Sequence, residues 1–255
     1  MFSKIAIIGN GNIGTWLFKT LQNRNDIEVL SFSSRKIETL PANLDLYIFA
    51  LKDDVYEEVF KQTPFKLPYA VHTSGSLSQN ILAPYSENFG VLYPYQSITN
   101  AENRMQKTEK SYTLTPFCIE ACNSALENAL FQWASSIFDI VHKINEKQRF
   151  AMHLAAVFAN NFTNAMYEIA YQIFKENDLD WSLIFPLLEN TLEKAKQNAP
   201  HLVQTGPATR GDFSIMEKHC NLLNNDDLKE LYKLISKIIS KKTNPSVETK
   251  SNNNH

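Results

Sequence analysis

Glycine is scarce in this sequence. The 255 residues include only 7 glycines, whereas an average usage of about 7% would give roughly 18. A residue used so sparingly is expected mainly where the backbone requires it, so each glycine marks a position of interest. Three of them, Gly9, Gly11 and Gly14, lie within one hexapeptide, and the others are Gly75, Gly90, Gly206 and Gly211.

The sequence also has few cysteines, no long apolar run and a small net charge. The 3 cysteines form no C-x-x-C pair, which argues against a disulfide framework or a thiolate zinc site and favours a reducing compartment. No uncharged apolar run is long enough to span a bilayer. The net charge of −2 provides no basic surface for nucleic acid or an anionic membrane. We therefore expect a cytoplasmic protein with no metal site and no nucleic-acid or membrane partner.

Short apolar runs alternate with helical patterns in the first part of the chain, which is typical of a parallel sheet covered by helices on both faces. One of these helices is predicted over residues 119–136. From residue 146 the pattern becomes helical and largely apolar. We expect a doubly wound Rossmann domain of α/β class at residues 1–145, an all-helical domain at 146–242 and a disordered tail at 243–255.

A glycine fingerprint follows the first predicted strand and opens the first predicted helix. In that setting the first glycine of GxGxxG permits a tight turn, the second lets a pyrophosphate approach the backbone, and the third lets the helix pack on the strand. We expect the dinucleotide to be held there and by Ala50 and Leu51 after the third strand. The alternative is a tight turn without a ligand. The residues of the fingerprint are Gly9, Asn10, Gly11, Asn12, Ile13 and Gly14.

The end of the second predicted strand indicates which dinucleotide binds. An NAD site usually has an acidic residue about 20 residues past the glycines, bound to the ribose 2′-hydroxyl. Here Ser33, Ser34 and Arg35 occupy that position, and they suit a 2′-phosphate through charge-assisted hydrogen bonds. We therefore expect NADP, and the alternative is a solvated basic turn. S-adenosylmethionine and FAD enzymes carry similar fingerprints, but the basic turn argues against both.

Two loops carry further candidate residues. Ligands of open parallel sheets bind beyond the carboxyl ends of the strands, so Ser74, just after the fourth strand, is expected near the nicotinamide and the substrate. Ordinary loop chemistry is the alternative for Ser74, and His72 could be satisfied within the sheet. Arg210 lies in a loop with two of the rare glycines. It could clamp a substrate carboxylate, or it could simply pair with Asp212.

The long helix that begins near residue 146 carries a polar stripe on an otherwise apolar surface. With about 100° per residue, Asn160 and Asn164 fall within roughly 20° of His153, and Asn161 lies about 80° away. If the stripe faces the first domain, His153 would transfer a proton and Asn161 would orient a carbonyl or imine substrate. The alternative is a structural network between domains or a polar seam at a dimer contact.

These motifs together resemble a family of Rossmann-like proteins that have a C-terminal domain of unknown function and are provisionally described as NADP oxidoreductases. The matching segments are GNGNIGTWL, HTSGS, GVLYPYQS, HLAAVFANNF and QTGPATRGD, at residues 9–17, 72–76, 90–97, 153–162 and 204–212. The chain departs from this family at Tyr93, where many members have histidine before the proline.

The layout is more distantly similar to pyrroline-5-carboxylate reductase and the β-hydroxyacid dehydrogenases. That similarity implies a helical second domain like the C-terminal domain of 6-phosphogluconate dehydrogenase. No lysine here matches the lysine that transfers a proton in the β-hydroxyacid dehydrogenases, and His153 lies near the corresponding place.

The sequence thus predicts an NADP(H)-dependent oxidoreductase that transfers a hydride to or from a small carbonyl or imine substrate. The predicted catalytic set is His153, Ser74, Asn161 and Arg210. The alternative is a non-catalytic dinucleotide-binding protein with a regulatory or scaffolding role. Because an apolar helical domain needs cover on all sides, a homodimer formed through that domain is also expected.

Overall fold

The computed structural model describes residues 2–99 and 114–243. The chain divides into two compact units, Met1–Tyr167 and Glu168–His255. The predicted tail beyond residue 243 lies outside the described residues. The domain boundary after residue 145 stays a prediction.

Seven described strands form one sheet in the first unit. In sheet order they are β2 (Glu28–Phe32), β1 (Lys4–Ile8), β3 (Leu46–Phe49), β4 (Ala70–His72), β5 (Phe89–Pro94), β6 (Phe117–Ala121) and β7 (Val141–Lys143). Neighbouring strands of this described sheet run parallel except for β5 and β6, which are antiparallel. The predicted Rossmann-type fold with a helical C-terminal region is confirmed.

The helices alternate with the strands in the first unit and make up the second. The α-helices of the described residues are α1 (Asn12–Leu21), α2 (Tyr56–Lys61), α3 (Ser124–Ser135), α4 (Glu146–Ala156), α5 (Thr163–Glu176), α6 (Phe185–Gln197), α7 (Pro207–Arg210), α8 (Phe213–Leu222) and α9 (Asp226–Thr243). A π-helical turn, Val157–Phe162, joins α4 to α5. Within the described ranges, no helix combines the length and the apolar character needed to cross a bilayer.

The two faces of the sheet are covered by separate apolar clusters. Successive side chains of a strand point to opposite faces, so Ile5 and Ile7 of β1 pack with residues of α1 and α3 on one side. Ala6 and Ile8 pack with residues of α2 on the other side. Helices on both faces hold the carboxyl ends of β1, β3 and β4 in place, and the candidate site lies at those ends.

The helix predicted over residues 119–136 begins later than expected. Phe117–Ala121 form β6, which pairs with β5. Helix α3 starts only after Asn123, whose side-chain oxygen accepts a hydrogen bond of 2.9 Å from the Leu126 N–H. The prediction was wrong because a short apolar run fits a buried strand and the start of a helix equally well.

Candidate functional site

The glycine fingerprint lies between the end of β1 and the start of α1. Gly9 has a φ of +120°, and a Cβ there would lie 2.2 Å from the carbonyl oxygen of Ala50. A Cβ on Gly14 would lie 1.9 Å from the carbonyl oxygen of Gly9. Only glycine fits these two positions. At Gly11, by contrast, a Cβ would meet nothing within 4 Å, so the backbone there borders open space.

Helix α1 begins with features that favour an anion. Its N-cap is Gly11, which contributes no side-chain hydrogen bond, and the first turn contains no acidic residue. The opening N–H groups of a helix lack intrahelical acceptors and form the positive end of the helix dipole. The open space at Gly11 and the peptide groups beside Ile13 therefore fit a pyrophosphate.

The basic turn follows β2, the strand next to β1. Ser33 caps the 3-10 turn Ser34–Thr39, and its Oγ accepts a hydrogen bond of 3.3 Å from the Arg35 N–H. The Arg35 side chain is exposed. Its guanidinium forms no hydrogen bond or ion pair with any residue that the structure describes. This cation is thus available to an anionic ligand.

Ala50 and Leu51 follow β3 and are held by the backbone around them. The Ala50 N–H donates to the carbonyl oxygen of Ile8 at 2.8 Å. The Leu51 N–H donates to the Tyr56 hydroxyl at 3.3 Å, and that hydroxyl donates to the carbonyl oxygen of Phe49 at 2.9 Å. These bonds fix the segment that crosses beside the glycine turn.

A cavity of about 1110 Å³ lies beyond the carboxyl ends of β3, β4 and β5 and beside α4. Two of the predicted cofactor residues, Ile13 and Leu51, line it. Three of the four predicted catalytic residues also line it, namely Ser74, His153 and Asn161. The cavity wall further includes Asp53, Gly75, Tyr93, Tyr95, Asn160 and Asn164.

The Ser74 hydroxyl is fully used in the loop after β4. Its Oγ accepts hydrogen bonds of 3.1 Å from the N–H groups of Ser76 and Leu77, and it lies 3.2 Å from the Ser76 Oγ. The Ser76 hydroxyl donates to the Asp53 carboxylate, so Ser74 must be the donor toward Ser76. One proton and two lone pairs are thereby engaged. This bonding shapes the loop, and a direct chemical role for Ser74 stays a prediction.

His72 is satisfied within the sheet, in agreement with the structural alternative. Its Nδ1 accepts a hydrogen bond of 3.2 Å from the Ser74 N–H, and its Nε2 lies 3.3 Å from the carbonyl oxygen of Ser78. The neutral ring therefore carries its proton on Nε2. Burial, reinforced by the charge of Arg149, lowers the pKa of His72 to about 4.

The stability of the protein is expected to fall at mildly acidic pH because of His72. The pKa of His72 is about 6.5 when the ring is exposed and about 4 in the fold, so between these values the unfolded chain binds more protons. The free energy of unfolding then decreases as the pH falls, by about 2 kcal/mol between pH 7.5 and pH 5. Denaturant unfolding at both pH values measures this loss. His72→Gln should lose about 2 kcal/mol less than the wild type over the same step, and equal losses would contradict the assignment.

A buried arginine ties α4 to the sheet. The side chain of Arg149 is 0% exposed, and its Nε donates to the Glu120 carboxylate of β6 at 3.1 Å. Its Nη1 donates to the carbonyl oxygen of Ser74 at 3.2 Å. Burial raises the pKa of Glu120, and the opposing charge of Arg149 limits that rise. Sequence reasoning missed this pair, because no local pattern links residues that lie 29 positions apart.

Tyr93 and His153 meet at the cavity wall. The Tyr93 side chain lies on β5, and its Oη is 3.2 Å from Nδ1 of His153. Burial raises the pKa of Tyr93 to about 12, so the phenol is protonated at neutral pH. Gly75 lies against both rings, since a Cβ there would be 2.7 Å from the His153 Nδ1 and 2.9 Å from the Tyr93 ring. In the sequence, Tyr93 stands out only as a departure from the family pattern.

The asparagines of the polar stripe lie on and just after the π-helical turn. Asn160 and Asn161 belong to this turn, and Asn164 belongs to α5. All three are exposed and line the cavity. A π-helical turn changes the rotation between residues and is frequent at functional sites. The predicted stripe assumed a regular α-helix, whereas Asn160 and Asn161 lie in a π-helical turn, and both line the cavity.

Arg210 ends the short helix α7 in the second unit. Gly206 and Gly211, with φ values of +116° and +73°, flank this helix, which accounts for two of the rare glycines. The guanidinium of Arg210 pairs with the Asp212 carboxylate at 3.0 Å. The pairing considered as the alternative is therefore present, and a substrate-clamping role for Arg210 stays a prediction.

Comparison with known proteins confirms the resemblance noted in the sequence. Residues 115–239, from the start of β6 into α9, match the family model of a domain of unknown function (DUF2520). No curated protein matches the chain significantly.

Solved structures share the fold over nearly the whole chain. A Bacteroides fragilis protein, provisionally described as an NADP oxidoreductase, is 28% identical with a TM-score of 0.82, and the match covers 94% of this chain and 98% of that chain. A Streptococcus pyogenes 1-pyrroline-5-carboxylate reductase is 17% identical with a TM-score of 0.58, covering 95% and 97%. A Plasmodium falciparum pyrroline carboxylate reductase with NADP bound is 14% identical with a TM-score of 0.56, covering 94% and 99%. The two reductases are similar to this chain in fold alone.

Proposed function

We propose that this protein is a cytoplasmic NADP(H)-dependent oxidoreductase that transfers a hydride to or from a small carbonyl or imine substrate. The observation that carries the proposal is the glycine cradle. Gly9 and Gly14 exclude side chains, while Gly11 leaves open backbone at the start of α1, as a pyrophosphate requires. The description of the Bacteroides fragilis structure as an NADP oxidoreductase supports the same cofactor.

The dinucleotide would be held by residues on three successive loops. The fingerprint residues, including Asn10 and Asn12, would bind the pyrophosphate through backbone N–H groups. Ser33, Ser34 and Arg35 would bind the 2′-phosphate, and Ala50 and Leu51 would lie beneath the cofactor. When bound, the dinucleotide supplies or accepts the hydride.

The chain itself would contribute the proton and the orientation of the substrate. His153 lines the cavity and is within hydrogen-bond distance of a second ionisable group, Tyr93. An imidazole transfers protons near neutral pH. The exposed carboxamide of Asn161 both donates and accepts hydrogen bonds, so it suits a carbonyl or an imine.

Reversing the charge at Arg35 is expected to discriminate between the two dinucleotides. Arg35→Glu should raise the Kd for NADPH about thirtyfold, because a hydrogen bond between charged groups contributes about 2 kcal/mol. The Kd for NADH should change less than about threefold. Isothermal titration calorimetry with each cofactor measures both values.

Lys66→Glu is the matched control for Arg35→Glu. Lys66 precedes β4 and pairs with Glu87 at 2.8 Å, so it lies at the amino end of the strands, away from the proposed site. Lys66→Glu changes the net charge of the protein by the same amount as Arg35→Glu. Neither cofactor should respond to this control by more than about twofold. An equal loss of NADPH and NADH affinity in Arg35→Glu would contradict the 2′-phosphate assignment.

A screen of NADPH oxidation against small carbonyl and imine compounds tests the proposed activity. Absorbance of the reduced nicotinamide should fall with at least one compound class. Tight NADPH binding with no oxidation, together with a stable protein partner in pull-downs, would favour the scaffolding alternative. Absence of binding to either dinucleotide would overturn the proposal as a whole.

A homodimer formed through the helical region is part of the proposal. The second unit exposes many large apolar side chains. Monomeric proteins rarely expose large apolar patches. Sedimentation should therefore give twice the mass of one chain, and a single-chain mass would refute the dimer. The most exposed of these side chains are Leu183 at 67%, Leu187 at 62%, Leu202 at 71%, Phe213 at 76% and Leu222 at 77%.

A further inference from the structure

We infer that Tyr93 is a positioning residue that fixes the tautomer of His153, so that the ring presents Nε2–H as a proton donor. The inference rests on the proposed function, because it gives the donated proton a use in the reductive direction. It concerns the contact between Oη of Tyr93 and Nδ1 of His153, 3.2 Å apart.

Hydrogen-bond accounting sets the direction of this bond. Among the residues that the structure describes, the polar partner of the Tyr93 hydroxyl is His153 alone. If the ring donated from Nδ1, the phenolic proton would have no acceptor among the described protein groups, and Tyr93 as a residue is only 8% exposed. Leaving a buried donor unpaired is unfavourable. Tyr93 therefore donates to Nδ1, and the neutral ring of His153 carries its proton on Nε2.

The direction of this bond reverses in the charged ring. A hydroxyl both donates and accepts, so Tyr93 accepts from Nδ1–H once His153 is an imidazolium. In both protonation states Nε2 then carries a proton. Without the hydroxyl, the neutral ring gains access to the tautomer in which Nε2 is bare and donates nothing.

The proton donated from Nε2 balances a reduction. With the dinucleotide bound, a hydride would be supplied to the substrate carbon, and the electron pair of the C=O or C=N π bond would move to the heteroatom. That pair forms a bond to the proton as the Nε2–H bond of the imidazolium breaks. The ring is left neutral in the Nδ1–H tautomer, which the contact with Tyr93 disfavours, and uptake of a proton from water at Nε2 restores the donor.

Several fixed groups hold the two rings together. Gly75 packs so closely that even a methyl group there would be 2.7 Å from the Nδ1 of His153. Arg149 lies one turn before His153 on α4 and is anchored to Glu120 and to the Ser74 carbonyl group. Helix α4 and the loop after β4 are thus tied to each other, which limits how far His153 can rotate away from Tyr93.

Nitrogen NMR of the full-length protein with 15N-labelled histidine tests the inference without cofactor or substrate. At a pH where the ring is neutral, His153 should show Nε2–H with Nδ1 as an acceptor. In Tyr93→Phe, the ratio of the Nε2–H to the Nδ1–H tautomer should fall about fivefold, as expected for a hydrogen bond of ordinary net strength. The resonances of His153 are assigned by their loss in His153→Gln.

Tyr95→Phe is the matched control, because Tyr95 also lines the cavity and its ring centroid lies 6.1 Å from that of Tyr93. In this variant the tautomer ratio of His153 should equal that of the wild type. A wild-type ring with the proton on Nδ1, an unchanged ratio in Tyr93→Phe, or an equal shift in Tyr95→Phe would each overturn the inference. Failure of the proposed function would instead appear as absent NADPH binding, measured separately by calorimetry.

Discussion

Replacing His153 by glutamine is expected to lower kcat about a thousandfold with any substrate that the NADPH screen identifies, because general acid–base catalysis contributes roughly 10²- to 10⁴-fold. The Kd for NADPH should change less than about twofold. Glutamine keeps a polar side chain of similar length but has no proton to transfer near neutral pH. Steady-state kinetics and calorimetry on the same preparation measure the two effects.

His142→Gln provides the control for this substitution. His142 is an exposed residue of β7 and is not among the residues of the cavity wall. The same chemical change there should leave both kcat and the Kd for NADPH as in the wild type. If His153→Gln keeps its turnover, His153 is not the proton donor. If His153→Gln instead loses NADPH binding, the role of His153 is to hold the cofactor.

The part of the site that was predictable from the sequence is the part encoded locally. The three glycines of the fingerprint lie within six consecutive residues that directly follow the first strand, so their spacing alone indicates the turn. The position of Arg35 was predictable in the same way, because it lies in the turn that follows β2. The fold class was also predictable, because alternation of strands and helices is a pattern along the chain.

The remaining features depend on contacts between distant residues or on small departures from regular geometry. Tyr93 pairs with His153 across 60 positions, and neither residue carries a local signal of that contact. Arg149 pairs with Glu120 across 29 positions, and this acceptor on β6 lies in the segment that was predicted as helix. The π-helical turn that contains Asn161 has no sequence signature, since its residues fit a regular α-helix as well.

Methyl groups added at two glycines of the fingerprint are expected to have opposite consequences. Gly14→Ala should lower the free energy of unfolding by about 3 kcal/mol, because its Cβ would overlap the carbonyl oxygen of Gly9 and the backbone must shift. This clash outweighs the gain of about 1 kcal/mol that alanine normally brings to a helix. The corresponding fall in Tm is roughly 10 °C, measured by calorimetry or circular dichroism.

Gly11→Ala is the matched variant, since it adds the same methyl group to the same turn. The backbone of Gly11, with φ of −73° and ψ of −174°, is open to any L-residue, and the added methyl meets no protein atom within 4 Å. Its Tm should therefore stay within about 2 °C of the wild type. The methyl occupies the space through which a pyrophosphate approaches the backbone, so the Kd for NADPH should rise about tenfold, or about 1.4 kcal/mol. A stable Gly11→Ala variant with unchanged NADPH affinity would show that the open space beside α1 serves no dinucleotide, whatever the glycines do for the turn.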